Sequence, residues 1–261
     1  MRQPLATDAR PTGILDEPNE DRALYAAFAG EVYARHPVRT HLVTEADDAA
    51  EVVARYTKPL PSDVAFVAVS ERMVAITQGR SHPMTEIRTG WLARLLVRFV
   101  TRPGYGIGLG TAQTMQLAIQ EVGAPRILLA AAVSAITKPF GVHGLFYRIA
   151  GPQAAAIDGP TSYTIPPYNQ AATLGPHDPD GAARRIAQAV GGLVAVIDAN
   201  DAGCNVLGAS PGVERKLVAR LFADNPLGQA REQTPISVVR HVAWPSSDPL
   251  PPEPRSRLSP P

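Results

Sequence analysis

The chain has one cysteine, three lysines beside twenty-two arginines, and no apolar run approaching the roughly 20 residues that cross a bilayer. A lone thiol, Cys204, excludes an intramolecular disulfide and a cysteine-cluster zinc site, and it fits a reducing cytosol. The six histidines, His36, His41, His82, His143, His177 and His241, form no H-x-x-x-H pair, so a histidine metal site would have to be assembled by the fold. An excess of one charge is missing too. With 25 Lys+Arg against 24 Asp+Glu, the chain lacks the footprint of a protein that clamps nucleic acid or an anionic membrane, and neither is expected as a partner. The opening MRQPLATDAR has no apolar core and does not read as a signal peptide, so a cytoplasmic location is expected.

What is present is a chain of 261 residues, 45% hydrophobic, long enough to bury a core without staples. Residues 1–20, with Pro4, Pro11 and Pro18, read as a disordered extension, and the Pro/Ser-rich residues 243–261 as a disordered tail. The folded part is then 21–242, with room for two subdomains. Spacing of Leu24, Phe28 and Val32 predicts a helix over Arg22–Arg35, and further helices are expected at Ala49–Tyr56, Trp91–Val100, Thr111–Val122 with Thr111 as N-cap, Asp180–Val190 and Val213–Phe222. Asp63–Ser70 is nearly uncharged and β-rich, which predicts a strand buried on both faces. Leu145–Ala150, Leu193–Ile197 and Ile236–Val242 read as further strands, whereas the alanines of Arg126–Ile136 suit a strand or a helix. Strands and helices mix without strict alternation, so the expected class is α+β, with mixed sheets and packed helices.

Two catalytic signatures can be set aside. Gly208-Ala-Ser210-Pro-Gly212 matches G-x-S-x-G, but a nucleophile elbow uses the N–H of the residue after the serine, and Pro211 has none. The glycines of Gly104-Tyr-Gly106-Ile-Gly108-Leu-Gly110 miss G-x-G-x-x-G and follow a helix rather than a strand. As a flexible entry to a helix they suit either a phosphate seat or close backbone packing.

The remaining polar residues gather where apolar runs stop. A buried strand ends in Asp198-Ala-Asn200-Asp201, hard oxygen donors of the kind Mg²⁺ or Mn²⁺ takes when phosphates complete its shell; an Asx-rich turn is the plainer reading. Asp158 precedes a Gly-Pro break and joins this set if the fold brings it near. Asp224, Asn225 and Gln229 mark a polar helix-to-strand connection. Ser70-Glu71-Arg72 and Gln78-Gly79-Arg80 bracket a short apolar run, so that Arg80 suits a phosphate, and Lys138 follows a buried run where its ammonium suits transferred phosphate.

In order along the chain, Arg39-Thr-His41, Ser70-Glu-Arg-Met-Val-Ala-Ile-Thr-Gln-Gly-Arg80, Gly144-Leu-Phe-Tyr-Arg-Ile-Ala-Gly151, Ile157-Asp-Gly-Pro160, Pro166-Pro-Tyr-Asn169, Ile197-Asp-Ala-Asn-Asp201 and Asp224-Asn-Pro-Leu-Gly-Gln229 resemble the coenzyme F420:gamma-glutamyl ligase family. The resemblance is to a divergent branch, with Glu71 and Gln78 where typical members carry other charged or polar residues. It implies an α+β homodimer and a GTP- or ATP-dependent ligase that adds L-glutamate to the coenzyme F420 precursor through an acyl phosphate. By that resemblance Asp158, Asp198, Asn200 and Asp201 hold Mg²⁺ or Mn²⁺, Arg80 and Lys138 act on phosphate, and Ser70, Glu71, Gln78, Gly79, Asn225 and Gln229 bind nucleotide or substrate. The alternatives are a carboxylate–amine ligase for another metabolite and a nucleotide- or metabolite-binding homologue without catalysis.

Overall fold

The structure is a computed structural model that describes residues 12–100, 108–142 and 144–257, with the side chains of Phe99 and Lys138 also outside the description. The first half of the glycine-rich segment at 104–110 therefore lies outside the described residues. Nine strands are described: β1 (Gly13–Ile14), β2 (Tyr25–Phe28), β3 (Glu31–Arg39), β4 (Val64–Ser70), β5 (Ser81–Pro83), β6 (Ala171–Thr173), β7 (Val194–Asn200), β8 (Gly203–Ala209) and β9 (Ile236–Val242). The described helices are α1 (Ala49–Thr57), α2 (Glu71–Thr77), α3 (Trp91–Leu96), α4 (Ala112–Val122), α5 (Ala124–Thr137), α6 (Leu145–Ala150), α7 (Pro152–Ala155), α8 (Pro179–Val190) and α9 (Arg215–Leu221). The class is mixed α+β. Seven strands form one sheet in the order β1-β3-β9-β4-β7-β8, with β2 extending the edge that β1 begins along β3; β5 and β6 form a small second sheet.

The central strands are apolar on both faces because helices cover both. Val67, Val69, Val194, Val196, Ile236 and Val238 face α1 and α8, while Phe66, Ala68, Ala195, Ile197 and Val239 face α9 and Phe222. Alternate residues of one strand therefore enter different cores, which is why these runs are almost wholly apolar, with the small Ser237 of β9 as an exception. A third core, built on Leu109, Met115, Ile127 and Phe146, belongs to the helical insertion α3–α7 between β4 and β7. Thr111 caps α4 as expected, accepting from the Thr114 N–H at 3.1 Å while Thr114 returns a bond to the cap.

Three expectations are corrected. Residues 22–35 form no helix: β2 and β3 make a hairpin whose two-residue tip, Ala29-Gly30, has φ of 51° and 86°. Positive φ at both tip positions is the turn that matches strand twist, and Val32, Ala34 and Val38 point alternately into the core. Leu145–Ala150 is a helix and not a strand, set between Gly144 and Gly151, both at positive φ, with Phe146 and Ala150 on one buried side. Such a short apolar run fits either period. The expected loose ends are partly built in. Gly13–Ile14 pairs with β3, and Asn19 is buried, its amide donating to the Pro226 carbonyl at 3.0 Å and the Thr234 hydroxyl at 2.9 Å. Past β9, Trp244 lies against Tyr25 and the Ser256 hydroxyl donates to the Asp201 carbonyl at 2.9 Å.

Candidate functional site

Among the described strands of the main sheet only β4 and β7 pair in parallel, and their register sets Ser70 opposite Ile197. The next residue on each chain segment is acidic, Glu71 on one and Asp198 on the other, so two carboxylates emerge side by side from strands about 4.8 Å apart. They open at the carboxyl ends of parallel strands, the edge where α/β proteins ordinarily bind ligands. A third carboxylate arrives from the second sheet: the Asp158 backbone exchanges 2.9 Å hydrogen bonds with Thr173 of β6, which brings its side chain to the same place. Together they line a cavity of about 1260 Å³ that also meets Ser70, Arg72, Asn200, Asp201, Gln229 and the C-terminal Arg255.

The three carboxylates act on one another. Burial pushes the Glu71 carboxyl well above the usual carboxylate range, and the charges of Asp198 and Asp158 add to the effect against Arg72. Its Oε2 is sealed from solvent and has no hydrogen-bond partner. Asp198 is raised as well, by burial first and Asp158 second, with the Asn200 amide, 3.2 Å away, and Arg72 opposing. Arg72 forms an ion pair with Asp158 and donates to the Thr164 hydroxyl at 3.2 Å. Beside Asp198, burial and that carboxylate push the Cys204 thiol up to about 12.

Of the expected metal ligands, Asp158, Asp198, Asn200 and Asp201 all reach the cavity. Asp201 sits at the tip of the β7–β8 hairpin and is paired with Arg22 at 3.3 Å, while the Asn200 side-chain oxygen accepts from the Ala202 N–H at 2.9 Å. As they stand, no group of three His, Cys, Asp or Glu side chains among the described residues is arranged to hold a metal ion. The donor chemistry nevertheless fits a hard divalent cation that keeps several waters and phosphate oxygens and takes only one or two carboxylates, and the partnerless Glu71 Oε2 is such a donor.

Ser70, Glu71 and Gln229 reach the cavity, but other expected binders do not. Gln78 and Gly79 lie at the far end of α2, where the Gln78 amide exchanges hydrogen bonds with the His177 backbone at 2.7 and 3.0 Å. Asn225 is fully buried in the turn after α9, at φ 53°, and neither side-chain atom has a partner. Arg80 is corrected from a phosphate-binding to a structural residue. It is buried, it donates to the Gly175 carbonyl at 2.5 Å and to Glu121 at 2.6 Å, it contacts His177, and it does not line the cavity. Lys138 has its side chain outside the described residues. The described cations that do line the cavity include Arg72, Lys216 and Arg220, the last two one turn apart on the same side of α9. Nothing but that spacing distinguishes them in the sequence from an ordinary solvated helix face. Ser210, the serine of the discarded elbow pattern, is buried, and its hydroxyl accepts the Val194 N–H at 2.9 Å. No family model and no curated protein matches this chain.

Proposed function

We propose that the cavity is the active site of a nucleotide- and divalent-metal-dependent amide ligase. The observation that supports the reading is the convergence of Glu71, Asp158 and Asp198 from the ends of β4 and β7 and from beside β6, with the Glu71 carboxyl raised and unpartnered. Burial and the neighbouring charges disfavour the ionised forms of Glu71 and Asp198, and a cation reverses that penalty. Mg²⁺ or Mn²⁺ held by Glu71 and Asp198, with Asp158 in reach, would neutralise charge between these residues and the nucleotide phosphates.

The chain's own residues account for the rest. Arg72, Lys216 and Arg220 bind phosphate oxygens, the role that the sequence pattern suggests for Arg80 and Lys138. Ser70 and Gln229 orient nucleotide or acid. A substrate carboxylate oxygen attacks the terminal phosphorus of ATP or GTP and the nucleoside diphosphate leaves. An amine nitrogen then attacks the acyl carbon, loses a proton and displaces phosphate. Positioning and charge neutralisation carry both steps. The motifs that resemble the gamma-glutamyl ligase family support L-glutamate as the amine and the coenzyme F420 precursor as the acid, in a homodimer.

The test is release of phosphate from Mg²⁺-ATP or Mg²⁺-GTP in the presence of paired acids and amines, beginning with glutamate as the amine. Release that requires both the acid and the amine, and that disappears in Asp198→Asn, is the expected result. Nucleotide binding without turnover for any pair would overturn the ligase reading.

A further inference from the structure

Helix α5 turns the wrong face to solvent. Its buried side carries Ile127, Ala130 and Ser134, and its exposed side carries Leu128, Leu129, Ala132, Ala135 and Ile136, with Phe140 following in the next turn. Leu129 is 57% exposed, Ile136 67% and Phe140 80%. No charged residue interrupts residues 127–137. An outward helix face is ordinarily charged, and an apolar stripe of this length marks an interaction surface.

The charge around it indicates what covers it. The near-neutral total conceals an asymmetry along the sequence: residues 88–150 contain seven Arg or Lys and one acid, Glu121, in a chain whose whole count is 25 against 24, and Arg88, Arg94, Arg98, Arg126 and Arg148 have described, exposed side chains. That acid is committed to the buried Arg80 at 2.6 Å. Arg126 lies at the start of α5, its Nε–H donating to the Ile149 carbonyl at 2.7 Å, and Arg148 is exposed on α6, which packs against α5. Two copies of so basic a unit would bring like charges together. Leucine, isoleucine and phenylalanine bordered by arginine suit instead the boundary between acyl chains and anionic headgroups. Crossing the bilayer is not involved. No single described helix is long and apolar enough, and α4 and α5, which pass only as a pair, are bent by 119°.

We propose that the α5 face docks on an anionic lipid surface, with Leu128, Leu129, Ile136 and Phe140 entering the acyl boundary and Arg126 and Arg148 meeting lipid phosphates. This is independent of the ligase reading, and it departs from the expectation drawn from net charge, because docking depends on where charge lies rather than on its sum. Sedimentation of the full chain with vesicles of phosphatidylcholine, or of an equimolar phosphatidylcholine–phosphatidylglycerol mixture, tests it. The chain is expected to sediment with the anionic vesicles alone and to be released by salt. Leu129→Ser/Ile136→Ser should weaken partitioning about tenfold or more, from the apolar area withheld. Phe140→Ser, at the most exposed of these side chains, should weaken it in the same direction and serves if the double variant misfolds. A wild type left in the supernatant with both vesicles, variants that sediment unchanged, or a wild-type dimer that the variants split without any vesicle binding would overturn the proposal. The last result would assign the face to a second copy of the chain.

Discussion

Arg35 on β3 carries a buried charge, and its partner Asp224 can be removed from the surface side. The guanidinium, 2% exposed, donates to Asp224 at 2.5 and 3.1 Å, to the Leu221 carbonyl at 2.5 Å and to the Ala23 carbonyl at 2.7 Å. It thereby ties β3 to the C-terminal end of α9, where a cation is also favoured by the helix dipole. Asp224→Ala leaves that charge buried without its counter-ion, a class of change that costs about 3–5 kcal/mol. The two carbonyls remain and hold part of the guanidinium, so the low end applies, about 3 kcal/mol. In a chain of this size such a loss lowers Tm by roughly 6–12 °C. Urea unfolding at neutral pH is the assay, and Arg35→Met/Asp224→Ala should recover part of the loss because no unpaired charge is left. Screening is weak at a buried pair, so added salt should change the loss little. A cost for Asp224→Ala below about 1 kcal/mol would refute the reasoning, since that is the value of a solvated surface pair.

Other substitutions address the packing and the site. Gly208→Ala puts a Cβ 2.2 Å from the Pro179 carbonyl group at the start of α8, so it should destabilise by about 1–3 kcal/mol or more in urea titrations, and an unchanged midpoint would contradict the close approach of β8 to α8. Glu71, and Asp198 with it, hold protons to higher pH in the folded chain than in the unfolded one. The stability they contribute is therefore fully present below the unfolded value of about 4 and is lost as pH rises through the folded values. Glu71→Gln should accordingly raise stability at pH 7 and flatten its decline above about pH 5; urea midpoints against pH that match the wild type would show that Glu71 is not desolvated. Cys204, with its thiol pushed up to about 12, should alkylate at about pH 8 far more slowly than an exposed cysteine, and equal rates by mass spectrometry would place it in solvent.

Much of the sheet was legible because its strands are covered on both sides. Val64–Val69 and Val194–Ile197 are β-rich runs with no polar residue, and in Ile236–Val239 only the small Ser237 interrupts the apolar run. The β2–β3 hairpin was not legible, because Leu24, Phe28 and Val32 satisfy a helical period and only the pairing of β3 with β9 decides against it. The site divides in the same way. Asp158, Asp198, Asn200 and Asp201 were visible as oxygen donors at the ends of apolar runs. Glu71 belongs with them for a reason no local pattern carries, the parallel register of β4 with β7. Arg80 misled because a buried arginine that joins separate backbone segments and one that faces phosphate have the same sequence surroundings.

The central claim is that these carboxylates bind a metal–nucleotide complex, and titration calorimetry of ATP and GTP with Mg²⁺ or Mn²⁺ measures that whatever the acid and the amine are. Metal-dependent nucleotide binding by the wild type that is lost in Asp198→Asn is the predicted result. Absence of binding to the intact chain, or binding that neither omission of metal nor Asp198→Asn alters, would contradict it.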